Sequence, residues 1–209
     1  LAGRNTLHVA AKAAAMCDVR ELAQLPHAFE LAEAKGMEVL VLGEGSNVLF
    51  AADFPGLVLC ITANACTVIG HSAGSALIRA EAGMLWNDLV HWSLARGWNG
   101  LENMALIPGT VGACPIQNIG AYGVEVAEFI ETVEAYNRLT GQTERLPNNA
   151  CAFGYRDSRF KRERDEWVIT AVEFRVSAHR ALKLNYACVP EELAAMGIKA
   201  PKAAHLAEA

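Results

Sequence analysis

Residues 107–123 read Ile-Pro-Gly-Thr-Val-Gly-Ala-Cys-Pro-Ile-Gln-Asn-Ile-Gly-Ala-Tyr-Gly, with four glycines, two prolines and no charged side chain. Neither a helix nor a strand accommodates Gly and Pro at this spacing. A surface loop of this length usually carries charge, so the stretch is predicted to be buried against something that satisfies its backbone N–H groups. Two interpretations remain open: a loop that wraps a large, flat ligand with a phosphate end, or a packed Ω-loop without a ligand.

A second glycine-rich stretch follows the apolar run of residues 37–42, which has the composition of a buried strand. It reads Gly43-Glu44-Gly45-Ser46-Asn47. The two glycines can adopt positive φ, which lets successive N–H groups converge on an anion. The third glycine and the helix of a dinucleotide fingerprint are missing, as is the lysine of a phosphate-binding loop. The alternative is a hairpin turn into residues 48–50.

Five short motifs occur in this chain in a characteristic order. They are residues 42–49 (Leu-Gly-Glu-Gly-Ser-Asn-Val-Leu), 101–103 (Leu-Glu-Asn), 107–109 (Ile-Pro-Gly), 115–123 (Pro-Ile-Gln-Asn-Ile-Gly-Ala-Tyr-Gly) and 153–158 (Phe-Gly-Tyr-Arg-Asp-Ser). In order and approximate spacing the set resembles the UDP-N-acetylenolpyruvoylglucosamine reductase (MurB) family, flavoenzymes of bacterial peptidoglycan synthesis. The resemblance runs from Asn5 to about Tyr186, and the block at 115–123 is highly specific.

The resemblance implies an α+β fold, namely the two-part FAD-binding module of the vanillyl-alcohol-oxidase/cresol-methylhydroxylase (PCMH) type. Residues 1–61 would form its first part and residues 62–209 its second. The implied reaction is reduction of UDP-N-acetylglucosamine enolpyruvate to UDP-N-acetylmuramate, with FAD as cofactor and NADPH as hydride donor. Such a protein is expected to be cytoplasmic, monomeric when complete, free of metal, and without nucleic-acid or membrane partners.

The same resemblance implies which residues bind the cofactor. Backbone N–H groups near the glycines would bond the phosphates, and an uncharged wall suits a flavin ring. The implied FAD-binding residues are Gly43, Glu44, Gly45, Ser46, Asn47, Pro108, Gly109, Gly112, Ala113, Cys114, Ile116, Gln117, Gly120, Ala121 and Gly123.

Arg156 matches the catalytic arginine of the family, whose guanidinium would pair with the substrate carboxylate and stabilise the developing enolate. The alternative is a surface ion pair with the adjacent Asp157. Tyr155 and Tyr186 are implied to contact substrate, although Tyr186 equally fits an aromatic at the end of a strand.

Two departures from the family pattern concern proton delivery. The family's proton-donor serine lies in a Gly-Ser-Phe-Phe-Lys-Asn-Pro type segment and its second acid is a later glutamate, and neither segment occurs here. The 209-residue chain alone is therefore expected to be inactive. Lesser departures are Leu7, where Phe is usual, and Cys114, where smaller residues are usual.

Composition restricts the remaining possibilities. The formal net charge of −5 argues against general nucleic-acid binding. No run of 18 apolar residues occurs, and the six cysteines lack zinc-site spacing, so they are predicted to be reduced thiols of a cytosolic protein. The one basic cluster is Arg156, Arg159, Lys161, Arg162 and Arg164, of which the last three are interpreted as a solvated loop.

Periodicity predicts the main regular elements. Helices are expected at residues 27–35, ending at Gly36, at 85–96, ending at Gly97, and in the Ala-rich tail from residue 190. In the second helix Leu85, Leu89 and Trp92 should share the buried face. Strands are expected at residues 57–61, after a turn at 54–56, and at 75–81, 131–136, 142–146 and 167–176. In the last of these, Val168, Val172, Phe174 and Val176 should lie on one face.

Two other functions stay open. The chain could be a different FAD oxidoreductase with the same module, although residues 153–158 favour the reductase family. It could also be a non-catalytic flavin-binding fragment, held together by FAD or by a partner chain.

Overall fold

A computed structural model of the chain describes residues 1–186 and 188–209. Its strands are β1 (Ala13–Val19), β2 (Val39–Leu42), β3 (Phe54–Ile61), β4 (Cys66–Ser72), β5 (Ser75–Glu81), β6 (Gly120–Ala121), β7 (Val124–Glu125), β8 (Ile130–Asn137), β9 (Gln142–Pro147) and β10 (Trp167–Ser177). Its α-helices are α1 (Leu25–Ala34), α2 (Trp86–Leu94), α3 (Arg159–Arg162), α4 (Val189–Ala195) and α5 (Ala203–Glu208). Short 3₁₀ turns span Ala2–Arg4, Leu22–Gln24, Glu102–Met104, Val111–Ala113, Val126–Glu128 and Asn148–Cys151.

The first sheet is parallel, with strand order β1-β3-β2. Its central strand β3 is buried on both faces because its side chains alternate between two cores. Leu57, Leu59 and Ile61 pack with helix α1, whereas Val58 and Cys60 pack with Leu42 and Phe50 on the other face. Near-continuous apolar residues are what a parallel strand covered on both sides requires.

The second sheet is antiparallel, with strand order β4-β5-β10-β8-β9. The largest core lies against one face of it, where helix α2 contributes Trp86, Leu89 and Val90. The indole of Trp86 meets the ring of Phe174 edge-on at 6.0 Å between centroids and donates its N–H to the carbonyl of Met104 at 2.7 Å. This arrangement joins the sheet, the helix and the loop that precedes residue 107.

Several expectations from the sequence are confirmed. Helix α1 is followed by Gly36, which has φ of 61° in the position after the C-cap. Strands β8 and β9 form a hairpin around residues 138–141, and β5 and β10 occupy the predicted segments. The structure combines one parallel sheet with two antiparallel sheets, the second of which is the short β6-β7 pair, and its helices are separate from them, so the fold is α+β.

Other expectations are wrong in detail. The predicted turn at residues 54–56 is the first part of β3, where the pairing with β1 shifts register around Pro55. The hairpin alternative for residues 43–50 is wrong because the flanking strands β2 and β3 run parallel. Strands β1 and β4 were not predicted, whereas the tail is helical as expected and contains the two short helices α4 and α5.

Two predicted faces also differ. Leu85 caps α2 and is exposed, so the buried face begins at Trp86. Val168 packs in the core around α1, whereas Val172 packs in the main core, because the pairing of β10 with β8 slips by one residue around Thr170. A bulge turns the side chains that follow it to the opposite face.

In the part of the chain that the structure describes, no helix has the length and apolarity needed to cross a membrane.

Candidate functional site

The two glycine-rich stretches meet in space. The turn at residues 43–47 leaves the C-terminal end of β2, and the loop at 107–117 crosses it. Three side chains of the turn reach across: Glu44 Oε2 accepts from Gly109 N at 2.7 Å, Ser46 Oγ donates to Pro108 O at 3.2 Å, and Asn47 Nδ2 lies 3.5 Å from Gln117 Oε1. We call these three contacts the loop clamp.

The turn itself presents unpaired donors. Among the residues that the structure describes, none accepts a hydrogen bond from the backbone N–H groups of residues 44–47. All four residues line a cavity of about 330 Å³, here called the inner cavity. Consecutive free N–H groups at the edge of a cavity form an anion-binding nest.

Both stretches require glycine because other parts of the protein lie too close to leave room for a Cβ atom. Gly45 has φ of 69°, and a Cβ there would lie 2.2 Å from the carbonyl oxygen of Arg4. A Cβ on Gly112 would lie 2.6 Å from the Cβ of Ala82. These glycines therefore allow the two loops to pack against their supports, in addition to the ligand approach that the family resemblance implies.

The inner cavity collects most of the predicted cofactor residues. Its lining includes Gly43, Glu44, Gly45, Ser46, Asn47, Pro108, Gly109, Ala113, Cys114, Ile116 and Gln117. Cys114 is fully buried, and burial raises the pKa of its thiol well above the ordinary value. It therefore presents a neutral, apolar wall rather than a thiolate.

A second cavity of about 350 Å³, here called the outer cavity, runs along strand β2 and adjoins the first. Gly112, among the predicted residues, lines this cavity. Seven residues line both and mark the junction: Val41, Leu42, Gly43, Thr110, Ala113, Ile116 and Arg164. Gly120, Ala121 and Gly123 line neither of these two cavities.

Arg156 is held by backbone rather than by a carboxylate. Its own backbone is left-handed, with φ of 51°, and its guanidinium donates to Asn118 O at 3.2 Å and to Gly120 O at 2.6 Å. The carboxylate of Asp157 pairs with Arg162. The ion-pair alternative for Arg156 is therefore wrong. The guanidinium is instead hydrogen-bonded to the backbone of the loop at 107–123.

Two residues that sequence reasoning missed fix this arrangement. Asn118 is buried, and its Nδ2 donates to Glu125 Oε2 at 2.9 Å and to Gly154 O at 3.0 Å. Ser158 is also buried, and its Oγ donates to Ile116 O at 2.6 Å. Asn118 stands in the specific 115–123 motif, which was the available signal, whereas the contact of Ser158 is not visible from local sequence.

The predicted substrate tyrosines lie around the same loop. The ring of Tyr186 meets that of Tyr122 edge-on at 5.5 Å between centroids, next to Gly123. Tyr155 is 84% exposed, and its ring lies 5.6 Å from the guanidinium carbon of Arg156. Residues 118–123 thus contact Arg156 on one side and Tyr186 on the other.

Ion pairs hold the segment that carries Tyr186. Glu128 bonds Lys183 at 3.0 Å and Arg180 at 3.0 Å. Burial acts to raise the pKa of the Glu128 carboxyl, but the hydrogen bonds from Lys183 and from the backbone of Glu125, with the nearby positive charges, outweigh it and lower the pKa.

The basic cluster is not a solvated loop alone. Residues 159–162 form helix α3, capped by Ser158, and Lys161 Nζ donates to Arg156 O at 2.8 Å. Lys161 and Arg164 also line the inner cavity. The interpretation of these residues as a solvated loop therefore missed that Lys161 and Arg164 line the inner cavity.

Comparison with known proteins places this geometry in context. Residues 13–146 match the family described as "FAD binding domain". The chain is 51% identical over 205 residues to the UDP-N-acetylenolpyruvoylglucosamine reductase of Xanthomonas campestris pv. campestris (strain 8004), covering 98% of this chain and 59% of that protein. It is 50% identical to the protein of that name from Xylella fastidiosa (strain M12), covering 58% of it. The chain thus spans about three-fifths of the length of these curated relatives.

Two solved structures share the fold. The UDP-N-acetylenolpyruvylglucosamine reductase (MurB) of Thermus caldophilus superposes with a TM-score of 0.67 at 24% identity, covering 97% of this chain and 69% of that chain. A solvent-stable cholesterol oxidase superposes with a TM-score of 0.58 at 16% identity, covering 78% of this chain and 34% of that chain. The fold is therefore the two-part PCMH-type architecture that the sequence predicted.

Proposed function

The chain belongs to the FAD binding domain family, and from this premise we propose that the inner and outer cavities hold one noncovalently bound FAD. The single observation that carries the proposal is the run of four free backbone N–H groups at residues 44–47, open to the inner cavity. A phosphate group of the FAD diphosphate would supply the acceptors that such a nest lacks.

The remaining chemistry of the cleft fits the other parts of a dinucleotide. Residues 108–117 give the inner cavity an uncharged wall, and Lys161 and Arg164 also line this cavity. Such a wall suits a flat ring system, and the adjoining outer cavity leaves room for the second half of the ligand. FAD, when bound, would supply the capacity to accept and donate a hydride.

We further propose that the whole protein reduces UDP-N-acetylglucosamine enolpyruvate to UDP-N-acetylmuramate for peptidoglycan synthesis. This rests on identities of 50–51% to reductases of that name over nearly all of this chain. NADPH as the hydride donor, a monomeric state and a cytoplasmic location belong to the same proposal. The six free thiols fit a reducing compartment.

In this proposal Arg156 binds the substrate carboxylate and stabilises negative charge that develops on the enolate. Its guanidinium uses two donors on the carbonyls of Asn118 and Gly120, which fixes its orientation and leaves N–H groups for a ligand. Tyr155 and Tyr186, both accessible, are proposed to contact the substrate.

We propose residues 1–61 and 62–209 as the two parts of the FAD-binding module. The parallel sheet lies wholly in the first range and the antiparallel sheet in the second. Gly43, Glu44, Gly45, Ser46 and Asn47 would serve the cofactor from the first part. Pro108, Gly109, Gly112, Ala113, Cys114, Ile116 and Gln117 would serve it from the second, with Gly120, Ala121 and Gly123 at the end of the same loop.

Titration of the purified chain with FAD tests the first proposal. Flavin fluorescence should be quenched to a defined end point, and acid should release the flavin unchanged because no covalent attachment is proposed. A chain that leaves FAD fluorescence unaltered would refute FAD binding.

The activity is tested on the complete gene product, loaded with FAD and mixed with NADPH and UDP-N-acetylglucosamine enolpyruvate. Mass spectrometry should detect the muramate product. A complete, FAD-loaded protein that oxidises NADPH but forms no muramate would favour a different FAD oxidoreductase.

A further inference from the structure

The point where the two cavities join carries a positive charge. Gly43, Thr110 and Arg164 line both cavities, so a ligand that fills both must pass them. In a dinucleotide the segment between the two halves is the diphosphate, which carries two negative charges. The junction is therefore the part of the cleft where positive charge is most needed to balance the negative charge of the ligand.

The cation at the junction is loosely paired. The Nε of Arg164 lies 3.7 Å from the carboxylate of its neighbour Asp165, and both side chains are more than 80% exposed. By contrast, Arg159 donates to Glu163 at 2.7 Å, and Arg162 pairs with Asp157. An exposed pair at 3.7 Å contributes little, so the Arg164 guanidinium is available to a stronger acceptor.

The other charged groups that line the cleft divide between its two halves. Lys161 and Glu44 line the inner cavity, and the carboxylate of Glu44 is engaged by the N–H of Gly109. Arg138, Glu38 and Asp165 line the outer cavity. Among the charged residues that the structure describes, Arg164 alone lines both cavities.

We propose that Arg164 binds the phosphate on the adenosine side of the ligand and so makes this site select FAD over FMN. This inference rests on the proposed FAD function. The nest at residues 44–47 would take the phosphate nearer the flavin, which FMN also has, and Arg164 takes the second phosphate, which FMN lacks. A guanidinium suits this task because it forms paired hydrogen bonds to phosphate oxygens and stays charged.

The test compares Arg164→Gln with wild type by fluorescence titration of FAD and of FMN at low salt. Loss of one exposed charge-assisted contact should raise the Kd for FAD about 3- to 10-fold. The Kd for FMN should change less than about 2-fold, because FMN lacks the second phosphate. The FAD effect should shrink at high salt, where an exposed contact is screened, and Arg164→Lys should restore part of the affinity.

Arg162→Gln is the matched control. It removes the same charge two residues away in the chain, and the side chain of Arg162 lines neither cavity. It should leave both Kd values within about 2-fold of wild type. Equal losses of FAD and FMN affinity in Arg164→Gln, unchanged FAD affinity, or an equal loss in Arg162→Gln would each overturn the inference. A wild-type chain that binds neither flavin would overturn the proposed function as well, which separates the two failures.

Discussion

Arg156 Nη2 donates a 2.6 Å hydrogen bond to the carbonyl oxygen of Gly120. This bond ties the residue proposed for substrate binding to the glycine-rich loop proposed for the cofactor. The backbone of Arg156 is held as well, because Lys161 Nζ donates to its carbonyl oxygen. The φ of Arg156 is 51°, which is unusual for a residue other than glycine. The position of the guanidinium is thus set by the loop and not by a neighbouring carboxylate.

Replacing Arg156 should separate substrate chemistry from cofactor binding. In the complete protein, Arg156→Ala should abolish muramate formation and leave the Kd for FAD within a few-fold of wild type. Arg156→Lys should also fall well short, because an ammonium cannot form the bidentate pair with a carboxylate. Steady-state kinetics and flavin titration measure the two effects, and a variant with wild-type turnover would refute the assignment.

Gly45→Ala should impair both stability and FAD binding. The added Cβ would meet the carbonyl of Arg4 at 2.2 Å, and the left-handed φ adds strain, so we expect a loss of about 2–3 kcal/mol or a displaced turn. Gly36→Ala is the matched control, with φ of 61° and nothing within 4 Å of the new Cβ. It should cost about 1 kcal/mol and leave FAD affinity unchanged. Urea unfolding and flavin titration check both, and equal FAD affinities for the two variants would contradict the prediction.

Asn118→Asp should disturb the support of Arg156. The new carboxylate loses the bonds donated to Glu125 and Gly154 and places like charge beside Glu125, in a buried position. We expect a loss of about 3 kcal/mol at pH 8, with part recovered near pH 5 as the new carboxyl takes up a proton.

The control for that variant is Asn148→Asp. Asn148 donates through its Nδ2 to two backbone carbonyls, those of Ala127 and Ile130, and not to a carboxylate. Its stability should depend less on pH between 8 and 5. Identical pH profiles for the two variants, measured by urea unfolding, would contradict the role given to Glu125.

Glu128 should contribute stability that disappears in acid. Its folded pKa is lowered below the ordinary value, so the contribution is present above the unfolded pKa of about 4.3 and is lost as the pH falls through the folded pKa. Because Glu128, Arg180 and Lys183 are each about one-third or more exposed, the size should stay below about 1 kcal/mol. Glu128→Gln should be less stable than wild type from pH 8 to 5, and the difference should shrink as the pH falls through the folded pKa of Glu128. A difference that persists unchanged at pH 3 would count against the ion pairs.

Local signals in the sequence predicted the elements that local interactions determine. Helix α2 and the hairpin of β8 and β9 were found because their apolar spacing and turn residues are contained within each segment. Strand β1 was missed because Ala13–Val19 is rich in alanine, which has poor strand propensity, and because the strand exists through pairing with β3 some forty residues later.

For the candidate site, motif order predicted which loops matter but not how they support each other. The glycines, Arg156 and Tyr155 were proposed from the 43–47, 107–123 and 153–158 stretches, and Tyr186 from the family resemblance alone. The contacts of Asn118 and Ser158 and the cavity positions of Lys161 and Arg164 could not be predicted, since each depends on chain segments brought together by folding. The register slip near Thr170 was likewise hidden, because residues 167–174 are buried on both faces of β10 and show no alternation whose phase could shift.

The loop clamp also bears on the kinetics of folding. Its three contacts join residues that are 62 to 70 positions apart in the chain, so the turn at 43–47 can be locked only after the whole intervening segment has been placed. Such contacts have a closure entropy that must be met before they can form. We therefore expect the loop clamp to form after the rate-limiting step of folding. A ligand bound at the clamp then acts on the unfolding barrier: it slows the opening of the native protein and leaves the refolding rate nearly unchanged. Cofactor saturation would thus lengthen the lifetime of the folded chain without helping a newly made chain to fold.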